Sequence, residues 1–540
     1  MRSLRPWSML MLLSLALGPL TGCKDKAEGA EAGEGKAGKN DAEPKETEPA
    51  EPSLDELLAG HDYPLLIWSI HTVQLDYFDK SRFDPKGQVL AACDYLGLHT
   101  PEFFAKAEGE TLEVTVRSQA KSFPLTGLGK LDDAAVLLEQ ILAFTVEILA
   151  LEGEPLHELE YAAINGFLGP LDPHTILLTP EENAELGIKT RGSFGGIGAE
   201  IVARDRRIVV MRVLPDSPAM KAGLQDNDVI LEIDGQSTVN LSTIDAQGLL
   251  RGPVDTDVEL AISRRGERKM VTITRGQIAI PTVIAEMLPD RVGYLQVTTF
   301  QEDTAEKLLE ALQGFQSTGD LAGLVIDLRG NSGGLLAQAV GILNQFVTGG
   351  ELVIVHSALG REHQDATKEI VVPMSVPVVT LIDEEAASAS EIVGGSLKHL
   401  DRGVIVGRSS FGKGTVQELR KATPYGRELA LKLTIAEYRV AGDRKIQSIG
   451  VIPDLQLLPI QLLDFEGVGR YYDLERFERQ RERARTAHLP SASHDAHVAA
   501  EAAMAQRGPS LRYLAYGPGG PATPTVGDEE PRQMRDPEIR

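Results

Sequence analysis

The chain has 540 residues, 42% of them hydrophobic, enough for more than one buried core and therefore for a multidomain protein. Its 54 basic against 79 acidic side chains leave a net charge of −25, spread along the chain, which serves solubility and argues against nucleic acid as the partner. Two cysteines, Cys23 and Cys93, exclude a disulfide framework.

Residues 1–22 read as an export signal, because Arg2 and Arg5 precede an apolar run from Trp7 to Leu17 that is too short to cross a bilayer. Leu20-Thr21-Gly22-Cys23 follows and resembles the bacterial lipobox, in which cleavage before the cysteine frees it for lipidation. Lipid on Cys23 would tether the protein to a membrane face without a spanning helix. This reading puts the chain in the cell envelope, facing the periplasm. Lys24 stands where some bacterial lipoproteins carry an aspartate that keeps them in the inner membrane, which points to the outer membrane. With Cys23 acylated, Cys93 has no disulfide partner and is expected to be a small buried apolar residue. Residues 23–52 are Ala, Glu, Gly, Lys and Pro with almost no aliphatic side chains, an acidic linker that cannot bury enough surface to order itself.

Order is expected from Ser53, where Ser53-Leu54-Asp55-Glu56 has the form of a capping box, and residues 53–186 read as a mainly helical region. Pro64 to Trp68 and Tyr77-Phe78 suggest an aromatic core. A second helix is predicted over 132–151, with Ala135, Leu138, Ile141, Leu142, Thr145 and Ile148 on one stripe packed in the core. Asn165 to His174 is a turn-rich segment, and His174 stands alone without metal-ligand spacing.

Over 187–278 the pattern changes to short β runs divided by glycine and proline. Ser193-Phe194-Gly195-Gly196-Ile197-Gly198 leads into an alternating strand, and Ser217 to Leu224 precedes the strand that ends at Asp234-Gly235. Together these resemble a PDZ domain. A glycine-rich turn at Phe194, Gly195, Gly196, Ile197 and Gly198 can aim backbone N–H groups at a carboxylate, and the neighbouring strand edge can add an extended peptide.

Residues 279–460 read as an α/β core. Gly323 to Arg329 is a buried strand by its apolar content, followed by the turn Gly330-Asn331-Ser332-Gly333-Gly334 and a helix over 335–346. Val376 to Ile382 is another strand. After the acidic turn Asp383-Glu384-Glu385, Ala386 to Glu391 open an amphipathic helix, and Val404-Ile405-Val406 leads into Gly407 to Gln417. Ser388 and Lys413 thus each follow a strand end, where open α/β sheets build their sites. Gly407 to Lys413 fits the first seven positions of a phosphate-binding loop. However, Gly414 lacks the hydroxyl that would hold Mg²⁺, and the β-branched Thr415-Val416 does not open a helix, so nucleotide binding is set aside. The better pairing is a serine hydroxyl activated by a lysine amine, which requires a desolvated setting for the lysine. Beyond the core, 461–540 reads as a charged helix over 473–485 and a disordered tail.

Ala387-Ser388-Ala389-Ser390-Glu391-Ile392, followed at 25 residues (413 − 388) by the lysine of Phe411-Gly412-Lys413-Gly414-Thr415-Val416-Gln417, resembles the carboxyl-terminal processing (tail-specific) serine peptidases. The resemblance implies Ser388 as nucleophile, Lys413 as general base and Gln417 as the residue that orients the lysine. It implies an oxyanion hole from the Ala389 N–H and one of Gly333 and Gly334, and a crotonase/Clp-protease-like core with the PDZ domain inserted before it. Leu171-Asp172-Pro173-His174 is similar to the segment that precedes the binding domain in that family, and Ala386 departs from it where many members have another serine. The function implied is an exported endopeptidase that captures the C-terminal tail of protein substrates and cleaves through an acyl-enzyme, with no metal and no cofactor. An adaptor protein and self-association stay open as partners. A catalytically silent, membrane-tethered PDZ scaffold is the alternative.

Overall fold

The computed structural model describes residues 61–423, 428–465, 468–472 and 510–514. The export signal, Cys23, the linker, the capping box at Ser53 and the charged helix over 473–485 lie outside the described residues. The chain divides into two compact units, one of Met1–Pro180, Ser357–Leu359 and Val416–Ala436, the other of Glu181–His356, Gly360–Thr415 and Glu437–Arg540. No helix among the described residues is long and apolar enough to cross a membrane.

The first unit holds the helices Pro64–Asp76, Pro85–His99, Leu131–Leu149 and Glu154–Leu168. Asp84 caps the second of them by accepting the Gly87 N–H, with Pro85 at the first helical position where no donor is needed. Leu131–Leu149 turns most of the expected stripe inward: Ala135, Leu138, Ile141, Leu142 and Thr145 are buried, while Ile148 is half-buried. Burial pushes the Cys93 thiol up to about 12, which leaves it an unreactive packing residue. A three-stranded antiparallel sheet, Phe103–Glu108, Thr111–Val116 and Gln119–Pro124, interrupts this helical region and was not part of the expectation from sequence. Its period-two signal is plain in Thr111–Val116, whose Leu112, Val114 and Val116 point inward. After the last of the four helices, strand Ile176–Leu178 runs antiparallel to Leu429–Val440, with Leu177 opposite Leu431.

In the second unit, a small antiparallel sheet runs in the order Glu267–Thr274, Asp257–Arg264, Val229–Ile233, Arg207–Val213, Ala199–Arg204. Ile197, Ile208, Val210, Ile230, Leu260 and Ile262 fill its core. Helix Thr243–Leu250 is capped by Ser242 and Asp245, and its Thr243 Oγ1 accepts the Ala203 N–H of the edge strand at 3.1 Å. The ribbon Ser193–Gly196 with Gly276–Ala279 connects this domain to the larger sheet.

That larger sheet has the order Val283–Leu288, Val292–Val297, Gly323–Asp327, Val378–Ile382, Val404–Gly407, Leu455–Phe465, Val468–Tyr472. Its first and last pairs are antiparallel and those between are parallel; strand Ser510–Leu514, within the tail expected to be disordered, runs parallel to Leu455–Phe465. Parallel strands are covered on both faces and read as near-continuous apolar runs, as Val378-Val379-Thr380-Leu381-Ile382 does. Helices Thr304–Ser317, Leu336–Leu343 and Ala389–His399 belong to this unit, and the strand ends Ile382 and Gly407 open towards the turns that carry Ser388 and Lys413.

Candidate active site

Ser388 stands between strand Val378–Ile382 and helix Ala389–His399, with φ 56° and ψ −115°. A side chain in that left-handed region costs on the order of 1–3 kcal/mol and persists only where neighbours hold it. The neighbours are specific. Asp383 Oδ1 gathers the N–H groups of Gly330, Glu385 and Ala386 at 3.0–3.1 Å, and burial raises its carboxyl. The Asn331 carbonyl accepts the Ala387 N–H at 3.0 Å and the Ser390 hydroxyl at 2.8 Å. The result is a sharp strand-to-helix elbow with Ser388 half-buried at its apex.

Glu391, one helical turn on, is 1% exposed and carries four hydrogen bonds. Its Oε2 accepts the Ser388 and Lys413 N–H groups, both at 2.8 Å, and its Oε1 accepts the Gly412 N–H and the Ser410 hydroxyl, both at 2.6 Å. Burial raises the Glu391 carboxyl to about 7, against the lowering effect of these donors. The segment from Gly407 to Gly414 is thereby tied to the start of the serine helix. After Lys413 the chain continues as strand Thr415–Ala422, so this glycine-rich loop opens no helix. The Lys413 carbonyl accepts the phenol of Tyr438, and the Tyr438 N–H donates to the Gly414 carbonyl at 2.8 Å. Burial holds that phenol well above its usual range, with the charge of Glu391 adding to the effect and a hydrogen bond with the Ser388 side chain opposing it.

Gly333 and Gly334 have φ +102° and +146°. A Cβ on Gly333 would come within 2.7 Å of the Ser388 Cβ and the Ala387 carbonyl oxygen, and within 3.0 Å of the Ala389 nitrogen, so this turn lies directly against the elbow. The Gly333 N–H is taken by Asn331 Oδ1 at 2.9 Å, while the buried Asn331 Nδ2 donates to the Val297 carbonyl at 2.8 Å. The Gly333 carbonyl accepts the Phe300 N–H at 3.1 Å. Because a trans peptide sets its C=O and N–H on opposite sides, the Gly334 N–H is directed away from Phe300.

Ser388, Lys413, Gly333 and Ala389 therefore meet around one elbow. Gln417 belongs to the other compact unit, where its Nε2 donates to Thr434 Oγ1 at 3.2 Å. Phe194, Gly195 and Gly196 lie in the connecting ribbon, with the Arg251 guanidinium over the Phe194 ring at 4.6 Å. Ile197 is a core residue of the small domain and its carbonyl accepts the Ala219 N–H at 2.8 Å; the Gly198 carbonyl accepts the Leu214 N–H at 3.0 Å. Among the described residues, no group of three His, Cys, Asp or Glu side chains could hold a metal ion. Reading the sequence for chemistry passed over Glu391, Asn331 and Tyr438. The first of these has a signal, the Ser-x-x-Glu spacing of a capping box at Ser388.

The family model described as peptidase family S41 matches residues 291–457, and a PDZ domain model matches residues 209–264. The carboxy-terminal-processing protease of Bartonella bacilliformis is 37% identical over 302 residues, which are 54% of this chain and 68% of that protein. The carboxy-terminal processing protease CtpA of Bacillus subtilis is 31% identical over 301 residues, 54% of this chain and 63% of its own length. Among solved structures, a photosystem II D1 C-terminal processing protease shows 27% identity and a TM-score of 0.39, covering 73% of this chain and 92% of that one. The chain is a member of peptidase family S41, a serine peptidase of the carboxy-terminal-processing type that carries a PDZ domain.

Proposed function

We propose that this protein is an exported endopeptidase that takes hold of the C-terminal residues of protein substrates with its PDZ domain and cleaves the preceding chain with a Ser388–Lys413 dyad. The observation that carries the proposal is the shared Glu391 carboxylate, which ties the backbone of Lys413 to that of Ser388 beside a strained elbow. In this reading the neutral Lys413 amine takes the Ser388 proton as Oγ attacks the peptide carbonyl. The oxyanion receives N–H groups from Ala389 and, because the Gly333 N–H is already engaged by Asn331, from Gly334. The C–N bond then breaks, and the Lys413 ammonium returns its proton to the leaving amine. Water deacylates the ester with the same lysine as base. Gln417, four residues beyond the lysine, is the proposed orienting residue. Lipid on Cys23 would hold the enzyme at a periplasm-facing membrane surface, the outer membrane by the Lys24 argument. An adaptor or a second copy of the chain remains open on this proposal.

The test is incubation with an unfolded polypeptide ending in apolar residues, beside Ser388→Ala and Lys413→Ala. Cleavage by the parent and by neither variant, with tail binding retained in all three, supports the dyad. Tail binding by the parent without cleavage supports a scaffold instead.

A further inference from the structure

Strand Ala199–Arg204 ends the order of its antiparallel sheet, so among the described residues one side of its backbone meets no further strand. The two-residue turn Asp205-Arg206, with φ 50° and 60°, joins it to Arg207–Val213 and makes Arg204 and Arg207 the hydrogen-bonded pair beside the turn. Alternation then turns the N–H and C=O groups of Ala203 and Ile201 to the open side. At the start of the strand, the Ile197 carbonyl accepts the Ala219 N–H and the Gly198 carbonyl accepts the Leu214 N–H. The trans peptides therefore direct the N–H groups of Gly198 and Ala199 the opposite way.

Helix Thr243–Leu250 flanks this open edge. Its Ala246 and Leu250 enter the core with Ile197, and Ile201 packs against the same cluster. In its first turn, Thr243 Oγ1 accepts the Ala203 N–H at 3.1 Å. The helix cap does not use that hydroxyl, because Ser242 Oγ takes the Asp245 N–H and Asp245 Oδ2 takes the Ser242 N–H, both at 3.1 Å. The edge thus presents Ile201 to an incoming chain, while the donor of the next outward-facing residue, Ala203, is already engaged.

We propose that Thr243 sets the length of tail that the PDZ domain reads, by closing the strand edge at Ala203 so that the backbone of only the last four substrate residues is paired. This rests on the reading of the PDZ domain as the holder of substrate C-termini. A tail laid antiparallel to the edge, with its carboxylate at the Gly198 and Ala199 N–H groups, sets its last residue opposite Ala199 and its third from last opposite Ile201. The fifth from last falls opposite Ala203. Its carbonyl gains nothing there, since taking the Ala203 N–H breaks the bond to Thr243 and exchanges one hydrogen bond for another.

The test uses the full chain carrying Ser388→Ala, which keeps the tail uncut, titrated calorimetrically with apolar-tailed peptides of four and eight residues that share their last four. The two should bind within about twofold of each other. Adding Thr243→Ala should leave the four-residue Kd within about twofold and tighten the eight-residue Kd roughly three- to tenfold, the worth of one net backbone hydrogen bond. Thr243→Ser should keep the parental pattern. The second arm needs no ligand. With ¹⁵N-labelled alanine, the Ala203 amide, assigned by its absence in Ala203→Gly, should exchange at least about tenfold faster in Thr243→Ala than in the parent or Thr243→Ser. A gain above about twofold from the longer peptide before Thr243 is changed, an unaltered length dependence in Thr243→Ala, or equal Ala203 exchange in all three proteins each overturn the proposal. Failure of both peptides to bind, or equal binding of their C-terminally amidated forms, would overturn the tail-holding reading instead, while the Ala203 amide still decides whether the hydroxyl closes the edge.

Discussion

The backbone N–H groups of Ser388 and Lys413 point at the same atom, Oε2 of Glu391, at 2.8 Å each. Two residues 25 positions apart in sequence (413 − 388) are thus held by a carboxylate that neither side chain needs for its own chemistry. Removing this carboxylate should disturb both ends at once. Glu391→Gln puts an NH₂ group where two backbone donors now converge, leaving at least one buried N–H unsatisfied. The expected outcome is a loss of about 1–3 kcal/mol in stability and of roughly 100-fold in kcat/KM. Thermal unfolding and peptide-cleavage kinetics on the purified variant check both, and parental kcat/KM would contradict the clamp.

The same group makes stability depend on pH. Its folded value, about 7, lies above the ordinary 4.5, so its contribution is present in full below about pH 4.5 and is lost as the pH rises through about 7. The interval corresponds to about 3 kcal/mol at the conversion of 1.36 kcal/mol per unit. Denaturant unfolding of the parent and of Glu391→Gln at pH 5, 6, 7 and 8 should show the parent's relative advantage shrinking towards pH 8. A difference that stays constant across that range would contradict the assignment.

A methyl group at Gly333 has nowhere to go. At φ +102° the residue is in glycine's territory, and the added Cβ would press on Ser388 Cβ and the Ala387 carbonyl at 2.7 Å. Gly333→Ala should push the elbow and the turn apart and lower cleavage by at least about 100-fold, since small displacements of reacting groups are costly. The PDZ core contains neither residue, so binding of an apolar C-terminal peptide, measured by fluorescence anisotropy, should match the parent. Loss of binding together with activity would indicate general misfolding.

Tyr438 is 2% exposed, and its phenol donates to the Lys413 carbonyl. Tyr438→Phe deletes one hydroxyl and leaves the ring in place, at a stability cost of about 1 kcal/mol. If the hydroxyl helps to place the lysine segment, kcat should fall roughly tenfold with little change in KM. Steady-state kinetics on one substrate separates this from a purely packing role, which would leave kcat unchanged.

Much of this protein was written locally. The strand Val378–Ile382, the helix after Ser388 and the stripe on Leu131–Leu149 follow from hydrophobic period alone, because burial selects apolar residues at fixed intervals. Ser388 and Lys413 were legible as candidates, since so few residue types can activate a hydroxyl, and the structure adds that their backbones share Glu391. The sheet at Phe103–Pro124 carries a period-two alternation in Thr111–Val116, yet the whole of 53–186 was read as mainly helical. What only the tertiary structure decided is how polar groups far apart in sequence find one another. Glu391 reaches the backbone of Lys413 across 22 residues, and Thr434 reaches Asp172 across 262. Such contacts leave no periodic trace, because a hydrogen bond depends on the meeting of two directed groups and each of those groups is common in loops and helices elsewhere.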